Sequence, residues 1–557
     1  VNAYWPAGMP TSLDYPELTV GELLGAAARL HGERTAVVDG PERLTFAGLH
    51  ARAAAFASAA RAAGVRDGDA VLLHLPNSVW FLIGYYGALL AGATVVLADP
   101  LQPASALRAQ VLDTGAVLAV SHPDQVTTLR AVAPECALRA IVVVPPLADP
   151  PDGTVTLADF VAGRPAAAPG TAVTADDVAH LAYTGGTTGQ PKGVRVLHRN
   201  VVANVAQMTA WRAGHVLTAD DGAPRLRPIP GLRDAGVNPG NAVAVTVAPL
   251  FHAHALIHVN FLLLCGATVV LSGRFDPERF LAAVEGHRAT YVTGSPAMWH
   301  ALLNSPALGV RDLSSVQVIS SGAAPLDHAT RRALAAAFPD AIISEGYGLT
   351  EATCLVTAAP LLRGARRKPG SVGLPIFDTA VQVRSPGDGV AVLGPHERGE
   401  LWVRGPQVTA GYLNRERATA EQFAGGWLRT GDIGFVDEEG FVFITDRAKD
   451  MLIYKGYNVY PRELEDILHS HPDVGAAAVV ARPVPGVGEE PVAFVVPRPG
   501  AALAPEAVMA FVAERVLPYK KVRAVHVVGV LPTSPAGKIL KAELRARFAQ
   551  SPTTVRS

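Results

Sequence analysis

Positions 183 to 193 read Tyr-Thr-Gly-Gly-Thr-Thr-Gly-Gln-Pro-Lys-Gly, a concentration of flexible backbone, hydroxyls and one cation suited to holding a polyphosphate. Gly185, Gly186 and Gly189 permit tight turns that aim N–H groups at an anion. Thr184, Thr187 and Thr188 add hydroxyl donors, and Lys192 adds a point charge. Lysine is scarce: eight of the 48 basic residues are Lys, and only Lys192 and Lys368 precede position 449. A lysine here therefore serves a purpose that arginine does not. A P-loop is excluded, because Pro191 precedes the lysine and Gly193 follows it where a magnesium-binding hydroxyl belongs. Pro191 also disfavours helical geometry at Gln190, breaking the strand-loop-helix cradle. A hydrolase elbow needs Ser where Thr187 stands. A plain solvent turn remains the structural alternative.

Six further segments carry reactive groups: Pro249-Leu250-Phe251-His252, Ser321-Gly322-Ala323-Ala324-Pro325, Tyr347-Gly348-Leu349-Thr350-Glu351, Arg429-Thr430-Gly431-Asp432, Asp446-Arg447-Ala448-Lys449, and 532 to 538 ending in Gly537-Lys538. Alone, each has a plain reading. Thr350 with Glu351 is a helix start, Asp432 a turn residue, Tyr347 a core aromatic, and Lys455-Gly456 a turn. His254 and His258, four apart, share a face if their stretch is helical, with His252 just before them. A metal there would need a further ligand cluster, so pocket lining or core hydrogen bonding is the expectation.

The elements that position these groups follow from composition and periodicity. With 557 residues, 49% hydrophobic content and 17% charge, the chain is long enough for several cores. A net charge of -1 gives no footprint for nucleic acid, and none is expected as a partner. Cys136, Cys265 and Cys354 are too scattered for a disulfide framework or metal pair. The N-terminus lacks the basic and apolar regions of a secretory signal, so a cytoplasmic location is expected. Val79 to Leu97 carries no charge over a length that could span a membrane, but Gly84, Gly87 and Gly92 punctuate it. It reads as a buried helix, 80 to 90, then a β-branched strand, 93 to 97, and no integral membrane segment is expected.

Short apolar runs at 70–75, 93–97, 116–120, 140–144, 243–247, 268–271, 291–293 and 316–320 alternate with Ala-rich amphipathic stretches such as 104–113 and 277–286. That pattern predicts an α/β fold with buried strands in layers. From about Val381 shorter strands and turns take over, and six of the eight lysines lie at or after Lys449. The domain boundary is expected near 446 to 450, giving regions 1–446 and 447–557. The Pro/Gly-rich stretch from Gly214 to Gly240 reads as a surface loop.

Taken in order and spanning nearly the whole chain, the seven motifs closely resemble those of the adenylate-forming superfamily of acyl-CoA synthetases, carrier-loading adenylation domains and luciferases. The resemblance implies a large N-terminal domain of layered α/β sheets with a small β-barrel-like subdomain, and a small mobile α+β C-terminal domain. It implies an ATP- and Mg²⁺-dependent acid–CoA ligase that makes an acyl adenylate and then a thioester. The carboxylic acid is left open among fatty, aryl, small polar and unusual oxyacids. The acceptor is coenzyme A or, alternatively, a carrier-protein pantetheine or another nucleophile.

By the same resemblance, Thr184, Gly185, Gly186, Thr187, Thr188, Gly189 and Lys192 hold the departing phosphates. Thr350 contacts phosphate, Glu351 ligands Mg²⁺, and Lys538 bridges substrate carboxylate and α-phosphate. Gly322, Ala323 and Ala324 with Glu345, Gly346, Tyr347 and Gly348 frame adenine, while Asp432 and Arg447 take the ribose. Lys449 is the hinge, Lys455, Gly456 and Tyr457 line the thiol approach, and His252 gates the pantetheine channel. If His254 and His258 face the substrate, the acyl pocket is more polar than one shaped for a long alkyl chain. A second lysine found in coumarate-type ligases four residues past the hinge is Ile453 here.

Overall fold

The computed structural model describes residues 5–145, 150–184, 191–220, 223–232, 236–322, 324, 326–386, 389–447, 450–455, 457–484, 487–534 and 537–549. Two mainly parallel sheets form the first layers. One runs, in spatial order, Val155–Thr156, Ala140–Val143, Leu118–Ser121, Ala70–His74, Thr94–Leu97, Val178–Thr184 and Lys192–Leu197. The other runs Leu374–Pro375, Leu355–Ala358, Ile342–Gly348, Val318–Ser321, Tyr291–Gly294, Val243–Thr246, Thr268–Leu271, Thr35–Asp39 and Glu42–Thr45. Their central strands are buried on both faces, as helix-covered parallel strands must be, so they read as continuous apolar runs rather than alternating ones.

Helix Val79–Leu90 fills the space beneath the first sheet, starting at a Ser78 hydroxyl that caps the Phe81 N–H. It is too short to cross a bilayer, and no described helix is long and apolar enough to do so. Gly87 lets it approach its neighbour, since a Cβ there would stand 2.6 Å from the Phe56 ring. One apolar cluster joins this helix to Phe46–Ala62, His198–Ala213 and Ala253–Leu264 and so ties the two sheets together.

A third, antiparallel sheet follows: Ala380–Arg384, Gly399–Arg404, Trp427–Val436 and Phe423–Ala424, with Val442–Arg447 paired to Trp427–Val436. The last sheet contains Tyr457–Val459, Leu452–Tyr454, Gly488–Pro497, Val474–Val484 and Ala524–Val527, packed by helices Pro461–His469 and Pro505–Ala513 over a core of its own.

The 214–240 stretch is not the loop its prolines and glycines predict. His215–Asp220 and Ala223–Pro228 pair as an antiparallel ribbon. Leu217, Ile229 and Val237 are buried and anchor it beside the His198–Ala213 helix. The alternation of apolar and polar residues outweighs the turn formers, because Pro224 and Pro228 sit on a ribbon that has no further strand to satisfy.

Candidate active site

The polyphosphate segment joins two paired strands, Val178–Thr184 and Lys192–Leu197, with Thr184 opposite Lys192 and Tyr183 opposite Gly193. It is therefore followed by a strand rather than by the helix of a P-loop. Gly185 through Gln190 lie outside the described residues. Gly193 is required by packing: a Cβ there would come within 3.0 Å of the Tyr183 ring, whose hydroxyl donates to Asp113 Oδ2 at 2.8 Å.

Residues 410 to 413 add to the free edge of this hairpin. The Arg195 N–H donates to the Gly411 carbonyl at 2.8 Å, and the Leu413 N–H to that of Gly193 at 2.8 Å. This fixes Tyr412 between two predicted site residues. Lys192 Nζ lies 4.9 Å over the Tyr412 ring, and the Tyr412 hydroxyl donates to Glu351 Oε1 at 2.8 Å. Burial, then the neighbouring Glu351 charge, push the Tyr412 hydroxyl far above its usual range, so it stays a donor. Nothing local in the sequence marks Tyr412; its role appears only when the two chain segments meet.

Thr350 and Glu351 open a single turn, Thr350–Ala352. The Glu351 carbonyl accepts from the Thr409 N–H at 3.0 Å and its hydroxyl at 2.9 Å. Thr353 closes the turn at φ +63°, a left-handed conformation that costs a threonine about 1–3 kcal/mol. Its hydroxyl donates to the Gln407 carbonyl at 2.7 Å. The preceding Gly348 is obligatory, because a Cβ would fall 1.5 Å from the Cys354 carbonyl oxygen.

Tyr347 and Asp432, distant in sequence, are joined: the Tyr347 hydroxyl donates to Asp432 Oδ2 at 2.6 Å. A second residue the sequence does not flag, Glu400, holds the Arg429-Thr430-Gly431-Asp432 turn. Its buried carboxylate accepts from Arg429 Nε at 2.8 and 3.0 Å and from the Gly431 N–H at 3.2 Å. Asp432 pairs in register with Arg447 on the neighbouring strand. The Arg447 side chain, Ala323, Lys449, Gly456 and the Tyr457 side chain lie outside the described residues.

Glu345 differs from its neighbours. Its side chain turns away from Tyr347 to accept from the Leu326 N–H at 3.1 Å and Arg331 Nη1 at 3.2 Å. Burial raises its carboxyl pKa despite those bonds. Glu345 thus anchors the turn that follows Gly322 and Ala324.

His252 precedes helix Ala253–Leu264, which does place His254 and His258 on one face, their rings 4.6 Å apart. Asn77 fixes the His252 segment, accepting from the Leu250 N–H at 2.7 Å and donating to the Ala248 carbonyl at 2.9 Å. Burial lowers the His252 pKa and takes that of His254 to about 4, so both are neutral at pH 7. His254 packs against Gly322, where a Cβ would meet its ring at 3.3 Å. Among the described residues no group of three or more His, Cys, Asp or Glu side chains is placed to hold a metal ion.

Lys538 follows a tight turn. The Ser534 N–H donates to the Lys538 carbonyl at 2.8 Å, and the Lys538 N–H to the Ser534 hydroxyl at 3.2 Å. Gly537, at φ +77°, lies so close to the large sheet that a Cβ would stand 2.5 Å from Ser295 Oγ. Ser295 directly follows Gly294, whose carbonyl accepts from the Gly322 N–H at 3.0 Å. The turn bearing Lys538 is therefore docked at the C-terminal ends of central strands in the sheet that carries Gly322 and Tyr347. Lys455 stands on a separate turn at φ +49°.

Known sequences and structures share this arrangement. The AMP-binding enzyme profile matches residues 24–413, and the AMP-binding enzyme C-terminal domain profile matches residues 463–538. A 4-coumarate–CoA ligase 2 from Oryza sativa subsp. japonica is 35% identical over 91% of this chain and 88% of its own length. A probable CoA ligase, CCL5, from Humulus lupulus is 33% identical over 93% and 91%. Among solved structures, ATP-bound MatB from Rhodopseudomonas palustris superposes with a TM-score of 0.83 at 28% identity, covering 95% of this chain and 99% of that one.

Proposed function

This chain belongs to the AMP-binding enzyme family, and we propose that it is an ATP-dependent acid–CoA ligase that works through an acyl adenylate. A carboxylate is a poor acylating agent. In the first half-reaction its oxygen attacks the α-phosphorus of ATP, the bond to pyrophosphate breaks, and acyl-AMP forms. In the second, the CoA thiolate sulfur attacks the acyl carbon and AMP departs. The docking of the Lys538 turn beside Gly294 and Gly322 carries the reading, because it brings a second-domain cation to the strand ends of the sheet that holds Tyr347, whose hydroxyl donates to Asp432.

Charge develops on phosphate oxygens in the first step, and fixed cations and donors stabilise it most effectively. Lys192 and the Gly/Thr segment hold the leaving β- and γ-phosphates. Lys538 spans the attacking carboxylate and the α-phosphate, and Thr350 donates to phosphate. Tyr347 offers its ring to adenine and steadies Asp432, which accepts from the ribose hydroxyls, with Arg447 contributing.

A magnesium ion fits Glu351. One carboxylate oxygen is committed to Tyr412 and the other accepts no hydrogen bond among the described residues, which leaves a hard oxygen donor for a cation that takes its remaining ligands from phosphate and water. When bound, the ion neutralises charge on the phosphate oxygens. Tyr412 orients the carboxylate, and Lys192 above its ring adds positive charge to the same region.

For thioester formation the C-terminal region rotates about Lys449, taking Lys538 away and presenting Lys455, Gly456 and Tyr457 to the pantetheine arm. His252, neutral at pH 7, lines that channel without imposing a charge. The test is acid-dependent ATP–pyrophosphate exchange over a panel of carboxylic acids, with product analysis with and without CoA. Exchange in the absence of CoA and thioester in its presence are expected. No exchange with any acid would refute adenylation, and exchange without CoA-dependent thioester would move the acceptor to another nucleophile.

A further inference from the structure

The end of the site away from the phosphate segment holds a buried cation that no acidic side chain among the described residues balances. Arg212, in the last turn of His198–Ala213, is 1% exposed. Its Nη1 donates to the Tyr291 hydroxyl at 2.7 Å and the Ser320 hydroxyl at 3.1 Å, both neutral. Its Nε is buried without a partner, and no Asp or Glu among the described residues forms an ion pair with it. The Nη2 group on the same edge of the guanidinium as Nε lies beside Gly346, where a Cβ would stand 3.6 Å away. That edge, two parallel N–H donors, is the one that receives a carboxylate with both oxygens.

Polar rather than purely apolar side chains surround Arg212. His258, 3% exposed, donates Nδ1 to the His254 carbonyl at 2.8 Å and leaves Nε2 buried and unpartnered. The His258 ring lies 6.5 Å from that of Tyr291, and His254 above it packs on Gly322. Gly322 and Gly346 belong to the segments assigned to the adenylate, so Arg212 stands directly behind the place where the acyl group begins. Burial chiefly, followed for His254 by the Arg212 charge and for His258 by His254, keeps both imidazoles neutral, so neither adds charge there at pH 7.

An unpaired ion in a protein interior costs several kcal/mol even after relaxation, and two neutral hydroxyls do not offset it. A hydroxyl or carbonyl on the substrate would fill a hydrogen bond yet leave the charge. A second carboxylate fills both donors and cancels the charge. His254 already lies against Gly322 and Arg212 Nη2 beside Gly346, so little length separates the segments assigned to the adenylate from the guanidinium, which favours a short molecule.

We infer that the acid activated here is a short-chain dicarboxylic acid, one carboxylate reacting with ATP and the other held side-on by Arg212. The inference rests on the acid–CoA ligase reading. It is tested by ATP–pyrophosphate exchange with the wild-type enzyme over short dicarboxylic acids, their monomethyl esters and chain-matched hydroxy acids, alongside fatty and aryl monocarboxylic acids. The dicarboxylic acid should exceed its own monomethyl ester in kcat/KM by at least about 100-fold, since leaving a site's buried polar groups unpaired can cost as much as about 10⁴–10⁵. Arg212→Met should erase that preference, lowering the dicarboxylic acid about 100-fold while the ester is unchanged or improved. Thermal unfolding checks that the variant folds; should it not, the wild-type series decides alone, and Arg212→Lys, a cation without the fork, should show a weakened preference. Equal or better exchange with the ester, hydroxy, fatty or aryl acids, or a dicarboxylate preference that survives Arg212→Met, overturns the inference while leaving the ligase reading intact. No exchange with any acid refutes the ligase reading instead.

Discussion

Removing one oxygen atom tests how the phosphate side of the site is held. Tyr412→Phe keeps the ring beneath Lys192 and deletes only the 2.8 Å hydrogen bond to Glu351 Oε1. A hydrogen bond to a charged group contributes about 1.5–3 kcal/mol. At about 1.4 kcal/mol per decade, that predicts a loss of about 10- to 150-fold in kcat/KM for ATP–pyrophosphate exchange. The loss should appear mainly as a higher Mg²⁺ requirement, because an untethered Glu351 samples other rotamers. Tyr412→Leu removes the ring as well and should lose about two- to fivefold more through the Lys192 contact, roughly 0.5–1 kcal/mol at a partly exposed site. Titrating Mg²⁺ at saturating acid and ATP, in both variants and in Glu351→Gln with and without Tyr412→Phe, separates the terms. If the two residues act through one another, the double variant is no worse than Glu351→Gln alone. Wild-type exchange and an unchanged Mg²⁺ midpoint in Tyr412→Phe, or fully additive losses in the double variant, would refute this account of Tyr412.

Lys538→Ala should abolish exchange yet largely spare thioester formation from preformed acyl-AMP; equal loss of both steps contradicts the two-arrangement mechanism. Gly537→Val, which places side-chain atoms into Ser295 and strains a φ of +77°, should mimic it with a loss of about 30-fold or more in exchange only, read by the same two half-reaction assays. Gly348→Ala drives a Cβ into the Cys354 carbonyl and should destabilise by at least about 3 kcal/mol, seen as a lower urea midpoint or loss of soluble protein. Burial holds His180 at a pKa of about 3 and His198 at about 4, the latter accepting from the Val20 N–H at 3.0 Å. Both are depressed, so the unfolded chain binds more protons once the pH drops below about 6.5, and stability is lost from there down toward the folded values. The loss between pH 7.5 and 5.5 should be up to about 1.4 kcal/mol per histidine, and His180→Gln should remove one such share. A stability that does not change with pH between those values would refute the assignment.

The sequence discloses what local chemistry dictates. Pro191 disfavours helical geometry at Gln190, and the residues that follow it, Lys192–Leu197, form a paired strand. Gly92, at φ +78°, separates the helix Val79–Leu90 from the strand Thr94–Leu97, while Gly84 and Gly87 lie inside the helix and permit close packing. Four-residue spacing puts His254 and His258 on one helical face. The ribbon at 215–228 escapes notice because its turn formers dominate composition while only Leu217, Ile229 and Val237 reveal burial. Tyr412, Glu400, Asn77 and Arg212 escape for a different reason. Each acts through a partner more than fifteen residues away, and none sits in a pattern that local propensity enforces. Lysine is conspicuous here because it is rare; Arg212 is hidden among forty arginines.

How the two halves of the molecule meet bears on the proposed rotation. Every apolar cluster in the protein ends at or before Ile444 or begins at or after Leu452, so no described core crosses that interval. What joins the halves is sparse and polar: the Arg462 N–H donating to Asp446 at 3.1 Å, the His300 and His469 rings 5.7 Å apart, Arg398 over Tyr460 at 5.4 Å, and Gly537 against Ser295. Such contacts form and break without exposing a hydrophobic core, whereas a shared core would make the halves one rigid body. The cost of leaving this docked arrangement is then a few exchangeable contacts, comparable to what binding a thiol substrate in the other arrangement returns. The boundary expected near residues 446 to 450 falls within that interval. In the proposed mechanism the reacting cation comes from beyond it, because a lysine fixed to the large sheet would occupy, throughout the second half-reaction, the path the thiol must take.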